Sequence, residues 1–162
     1  MSLAGRFEGS VEPIEGLDLE VEGLAEWVLE VPFSGWPQQR FGELRPAMIS
    51  DPEWRGFHGR VRKTVERVLG KFPGGKADTL LLSVVMPGHE IAPHVDEQPP
   101  HWWTRVHVPL VAGPGSEFLV ENVAFHLSPG HAYRVNTLRQ HSVVNRGSTP
   151  RVHFMFDVKG PR

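Results

Sequence analysis

The chain has 162 residues, of which 40% are hydrophobic and 22% charged, with a formal net charge of −2. Those values exclude global disorder, and the near-neutral charge offers no footing for nucleic acid or an anionic membrane. The absence of cysteine rules out disulfide scaffolds, cysteine-ligated zinc, iron–sulfur clusters and thiol catalysis. The length suits one domain spanning 1–162, large enough to bury its own core. The start, MSLAGRFEGSVEPIEG, lacks a basic segment followed by an apolar one, so no signal peptide is expected. No apolar run approaches the ~18 residues of a membrane span. A cytoplasmic protein with no membrane contact is the expectation.

The 17 Gly and 15 Pro favour many short elements joined by turns over a helix bundle. Leu17, Leu19 and Val21 alternate like a strand, while Leu17, Val21, Leu24 and Val28 also fit helical spacing. Residues 32–46, PFSGWPQQRFGELRP, read as a loop. A helix is expected over 52–69. Asp51 can cap it, Pro52 suits its first position, and Gly70 closes it. Trp54, Phe57, Val61, Val65, Val68 and Leu69 mark its apolar face.

From residue 79 the period changes to 2. Short runs follow at 79–86, 90–95, 104–111, 117–121, 124–127, 131–136, 141–145 and 151–158, separated by Pro- and Gly-containing turns. Such a series predicts a β-sandwich or barrel over 79–158, with 1–78 as a flanking region.

Six of the nine histidines lie between residues 89 and 131. The informative group is His94-Val95-Asp96 with the distant His141. Residues two apart on a strand share a face, so His94 and Asp96 can aim at one point. With His141 they make two histidines and a carboxylate, the facial set of non-haem Fe(II) oxygenases, which leaves coordination positions open. His-x-Asp is also a common tripeptide, and a later histidine is expected by chance in this chain. The last run, RVHFMFDV, splits into Val152, Phe154, Phe156 and Val158 on one face and Arg151, His153, Met155 and Asp157 on the other. The first face reads as core. The second faces water or a polar cavity, where a guanidinium needs an anion and its fork suits a carboxylate. Arg105 and His107 share one face of TRVHVPL, and two readings stand for it: a second cationic wall of the same interior, or the outward side of a half-exposed strand.

The segments MPGHEIAPHVDEQPPHWWTRVHVPLV and SPGHAYRVNTLRQHSVVNRGSTPRVHFMFDV resemble the aspartyl/asparaginyl β-hydroxylase-like 2-oxoglutarate oxygenases, a group that includes small bacterial free-proline hydroxylases. The likeness covers about half of the chain. It rests on a P-G-x-x-x-x-P-H turn and strand, an R-x-H strand, an H-x-V-x-N strand, and Arg151 ten residues after His141. The resemblance implies a double-stranded β-helix, or jelly-roll, and an Fe(II)- and 2-oxoglutarate-dependent dioxygenase that uses O2 and releases succinate and CO2. By the same resemblance His94, Asp96 and His141 bind iron. Arg151 and Ser83 hold the distal carboxylate of 2-oxoglutarate, and Arg105 with His107 lie near its keto-acid end. The substrate class it implies is an amino acid, or an Asp, Asn or Pro side chain in a peptide. Animal membrane-anchored members have Gly where this chain has Asp96, so the chain looks more like the soluble bacterial branch.

Two alternatives remain from the residues themselves. A cupin-like metal enzyme without 2-oxoglutarate would keep the three ligands and not need Arg151. A small-acid binding module would need no metal. At least one of Trp102 and Trp103 is expected at the surface or over a pocket mouth, as a lid or as packing. Arg40 and Arg45 read as a solvated loop that could also meet a substrate carboxylate. His89, His126, His131 and His153 read as surface or structural residues, and Asn136 and Asn145 as bonding near the site. The sequence carries no hydrolase triad spacing or P-loop.

Overall fold

A computed structural model describes residues 2–30 and 52–162. Along them run β1 (Val11–Pro13), α1 (Glu22–Glu30), α2 (Pro52–Leu69), β2 (Lys76–Val85), β3 (Glu90–His94) and β4 (Trp102–Val111). They are followed by β5 (Ser116–Val120), β6 (Val123–Phe125), β7 (Tyr133–Val135), β8 (His141–Asn145) and β9 (Arg151–Lys159). The strands form two antiparallel sheets, ordered β1-β7-β4-β9-β2 and β3-β8-β5-β6. From β2 to β9 the chain passes back and forth between the sheets, pausing in one only for the β5–β6 hairpin. That winding is the double-stranded β-helix expected from the strand pattern and the family likeness.

The first sheet is covered on both faces. Its outer face carries Leu82, Val84, Val106, Val108, Phe154 and Phe156, packed with Val28 of α1 and Val61, Val65 and Val68 of α2. Its inner face looks toward the second sheet, where Val85, Phe118, Val120, Val135 and Val143 form a smaller core. Strand parity sets this division. Val152, Phe154, Phe156 and Val158 are fully buried toward the helices, which leaves Arg151 and Met155 facing the interior between the sheets.

Helix α2 has the expected bounds. Val61, Thr64, Val65 and Val68 are buried while Arg62, Lys63, Glu66 and Arg67 are exposed. It closes with Gly70 N–H donating to the Glu66 carbonyl (3.1 Å) and two tighter bonds from Lys71 and Phe72. The expected cap Asp51, the loop 32–46, Arg40 and Arg45 lie outside the described residues, as do the side chains of Trp54 and Phe57. The N-terminal region differs from one of its two readings: 17–21 is not a strand, and the helical spacing prevails from Glu22. Strand β1 was not legible at all. Three residues ending in Pro carry little strand propensity, and they are extended because they pair with β7.

Candidate active site

His94 ends β3 and His141 opens β8, and the two are direct cross-strand partners. Their imidazole centroids lie 4.2 Å apart. Asp96 sits two residues beyond β3, where its N–H donates to the Thr137 carbonyl at 3.0 Å. Its carboxylate is 3.3 Å from His94 Nε2 and 3.7 Å from His141 Nε2. One ligand atom from each residue lies within 4.8 Å of the others. The convergence matches the sequence expectation, but its cause is different. The β3–β8 register breaks between Ile91 and His94, and Asp96 is off the strand, so strand parity does not aim it. Thr137 and Arg105 hold it instead.

Each ring of the pair is oriented by its own backbone. His94 Nδ1 is 2.8 Å from the Ala92 carbonyl, and His141 Nδ1 is 2.8 Å from the Arg139 carbonyl. A carbonyl only accepts, so in both rings Nδ1 carries a proton and Nε2 is the nitrogen turned to the Asp96 carboxylate. Burial lowers the His141 pKa, against the opposing pull of the Arg139 carbonyl and Asp96, and this favours the neutral ring. Two Nε2 atoms and a carboxylate, with the other ring nitrogens fixed by carbonyls, suit a divalent cation. The residues present therefore fit Fe(II).

A cavity of about 220 Å³ opens behind the triad. Ser83, Arg105, His107 and Arg151 line it, together with Thr137 and apolar walls from Ile91, Phe118, Val143 and Met155. The structure thus brings all seven sequence-predicted site residues to one space. Arg151 is 2% exposed. Its Nη1 donates to Ser83 Oγ (3.3 Å) and its Nη2 to His153 Nδ1 (2.9 Å). His107 Nδ1 lies 3.0 Å from the same His153 nitrogen. Burial first, and the Arg151 charge second, push both His107 and His153 well below the usual histidine range. Both rings are neutral, and Arg151 keeps the positive charge of this group.

For Arg105 the interior reading holds, with partners that the sequence did not reveal. Its Nε and Nη2 donate to the two oxygens of Asp157 at 3.0 Å each, and its Nη1 donates to Asp96 Oδ2 at 3.0 Å. His153 is not a surface residue: it is buried against Arg151 and His107. Trp102 is buried with its Nε1–H on Asp157 Oδ1 (3.1 Å), and Trp103 packs against the helix-side core. Neither ring lines the cavity. Asn145 is a brace rather than a site residue. Its amide donates to the Val85 and Thr149 carbonyls, and its Oδ1 accepts Gly147 N–H. Asn136 likewise stays local, accepting Leu138 N–H. His89, His126 and His131 are exposed. Thr137, Asp157 and His153 were missed. Asp157 and His153 had a signal, since parity puts them on the face of Arg151; Thr137 had none.

A model of the Aspartyl/Asparaginyl beta-hydroxylase family matches residues 58–161, well over half of the chain. The chain belongs to the aspartyl/asparaginyl β-hydroxylase family. With that membership and the triad, the enzyme is a 2-oxoglutarate-dependent hydroxylase whose cofactors are Fe(II) and 2-oxoglutarate. Solved structures with a similar fold include a 2-oxoglutarate complex of the viral collagen prolyl hydroxylase of Paramecium Bursaria Chlorella virus-1. It is 10% identical, with TM-score 0.59 over 96% of this chain and 98% of that one. An oxidoreductase of the 2OG-Fe(II) oxygenase family from Burkholderia pseudomallei is 16% identical, with TM-score 0.65 over 94% and 85%. A Pseudomonas putida prolyl-4-hydroxylase is 12% identical, with TM-score 0.58 over 96% and 95%. At these identities the likeness speaks for the fold. No curated protein sequence matches the chain. Among the described residues no helix is long and apolar enough to cross a membrane.

Proposed function

We propose that this hydroxylase acts on a C–H bond of an amino acid, or of an Asp, Asn or Pro-type side chain in a peptide. His94, Asp96 and His141 hold Fe(II), Arg151 with Ser83 holds the distal carboxylate of 2-oxoglutarate, and Arg105 with His107 flanks its keto-acid end. The observation that carries this reading is the shared cavity, in which the triad and a buried guanidinium face one space. When bound, Fe(II) supplies O2 activation coupled to oxidation of 2-oxoglutarate to succinate and CO2.

The chain's own residues orient and exclude. Three protein ligands leave the remaining coordination positions to small molecules. A carboxylate entering the cavity gives up water, so it needs a charged partner already aimed at it. Arg151 supplies that charge, and neutral His153 and Ser83 hold its guanidinium in place. Phe118, Ile91, Val143 and Met155 limit the water beside it. The His94 side chain is 42% exposed, so the metal end is the end that meets solvent and the substrate. The whole chain acting as one oxygenase domain, in the cytoplasm and without a nucleic-acid partner, belongs to the same proposal.

The test is succinate formation from 2-oxoglutarate with Fe(II) and ascorbate, against a panel of free amino acids and of peptides containing Asp, Asn or Pro. One substrate class should raise succinate output and gain one oxygen atom by mass. Turnover that persists unchanged in Arg151→Met, or a panel product formed without 2-oxoglutarate, would overturn the assignment.

A further inference from the structure

Asp157 of β9 lies directly opposite Arg105 of β4 and is 3% exposed. Its two carboxylate oxygens take Nε and Nη2 of Arg105 in a bidentate fork, 3.0 Å at each contact. Oδ1 also accepts the indole N–H of Trp102 at 3.1 Å. Arg105 then directs Nη1 to Asp96 Oδ2 at 3.0 Å. The line Trp102–Asp157–Arg105–Asp96 therefore ends on the carboxylate that faces both His94 and His141.

Two physical consequences follow from this line. A fork-to-fork pair fixes the plane of the guanidinium, so the third contact to Asp96 is made in one direction. Asp96 needs that support because it lies past the end of β3. The second consequence is one of charge. A guanidinium beside a cation site repels the cation and draws on the ligand carboxylate, and the effect is strong where water is scarce. The Asp157 carboxylate offsets the Arg105 charge from the side away from the triad.

We propose that Asp157 is a positioning residue for Asp96: held by Trp102, it locks and neutralises Arg105 so that Asp96 presents its carboxylate to a divalent cation. This rests on the metal-site reading of His94, Asp96 and His141. It gives Trp102 a place in the site that its distance from the cavity conceals.

The test measures Co(II) binding to the full chain by titration calorimetry, with no turnover required. Asp157→Asn keeps the shape and removes the charge. It should weaken Co(II) binding by about 10- to 100-fold, the usual effect of losing a partner of a metal ligand. In an Asp96→Ala background the same change should cost markedly less, because the path through Asp96 is cut and only the direct repulsion between Arg105 and the cation remains. Trp102→Phe keeps the ring packing and should show a smaller loss of the same kind, also reduced in Asp96→Ala. It serves as the test where Asp157→Asn does not fold. Unchanged Co(II) affinity in these variants, or an equal loss with and without Asp96, overturns the positioning role while the metal site stands. Asp96→Ala that binds Co(II) as tightly as the native chain overturns the metal-site reading, and this inference with it.

Discussion

Arg151 is the residue on which the chemistry of the cavity turns. It is buried at the head of β9, with a hydroxyl and a neutral imidazole among its neighbours. Arg151→Met keeps much of the volume and removes the charge and the fork. The affinity for 2-oxoglutarate should fall by roughly one to three orders of magnitude, the ~2–4 kcal/mol of a broken desolvated charge pair. Co(II) binding, measured separately, should hold. Ser83→Ala removes one hydroxyl and should cost about 0.5–1.5 kcal/mol in the same assay. The histidines beside Arg151 make a prediction of their own. Burial, then the Arg151 charge, lowers the pKa of both His107 and His153 in the fold. Above the unfolded value near ~6.5 neither state takes up a proton at these sites, and stability is at its full value. As the pH falls below that value, the unfolded chain binds protons that the folded chain refuses, and stability is lost. Denaturant unfolding should therefore weaken between about pH 6.5 and about pH 5, by up to roughly 1.4 kcal/mol per pH unit for each ring. His153→Asn should reduce the slope. A stability that rises on acidification would contradict the assignment.

At the scale of elements, β9 serves two purposes at once. Its helix-facing side packs Phe154 and Phe156 at 0% exposure, and its inner side carries Arg151 and reaches Asp157. Phe154→Ala should cost about 3–5 kcal/mol in denaturant unfolding, the range for a buried Phe that leaves a cavity. The loops after β4 and β8 meet through glycine. A Cβ on Gly115 would come within 2.6 Å of Gly147 Cα. Gly115→Ala must push the two loops apart, at a cost of about 1–3 kcal/mol. The loss should appear in thermal unfolding, with Co(II) affinity preserved because Asn145 and its loop lie away from the triad. The elements themselves were largely legible. The change from helical to alternating period near residue 79, the Pro-Gly turns and the Pro52 start are local signals, and they survive in the structure within a few residues. What failed was short or doubly determined. The three residues of β1 have no signal of their own, and 17–21 satisfied two periods until packing chose between them.

Over the whole molecule, the triad joins the ends of β3 and β8, and Arg105 ties it to the first sheet. A cation at that point binds the folded chain and not the unfolded one, so it should raise stability. At a Co(II) concentration about 100 times the dissociation constant the gain should be about 2.7 kcal/mol. It should appear as an upward shift in thermal unfolding that EDTA reverses and His141→Ala abolishes. A shift that survives His141→Ala would place the ion elsewhere.

By itself the sequence determined the alternating strands from residue 79, the helix 52–69, the face that Arg151 shares with His153, Met155 and Asp157, and the candidate set His94, Asp96, His141. Periodicity and residue chemistry are local properties, and a chain of this length needs no partner to express them. Only the tertiary structure decided which strands are neighbours. The β4–β9 register is set by packing on both faces of the first sheet, and it joins Asp157 to Arg105 across 52 positions of chain. The same burial chose the structural reading of His153 over the surface one, as a neutral partner of Arg151, and the packed reading of Trp102 over the lid, as the anchor of Asp157. A residue's face follows from its strand, but its neighbour depends on a pairing that no local window contains.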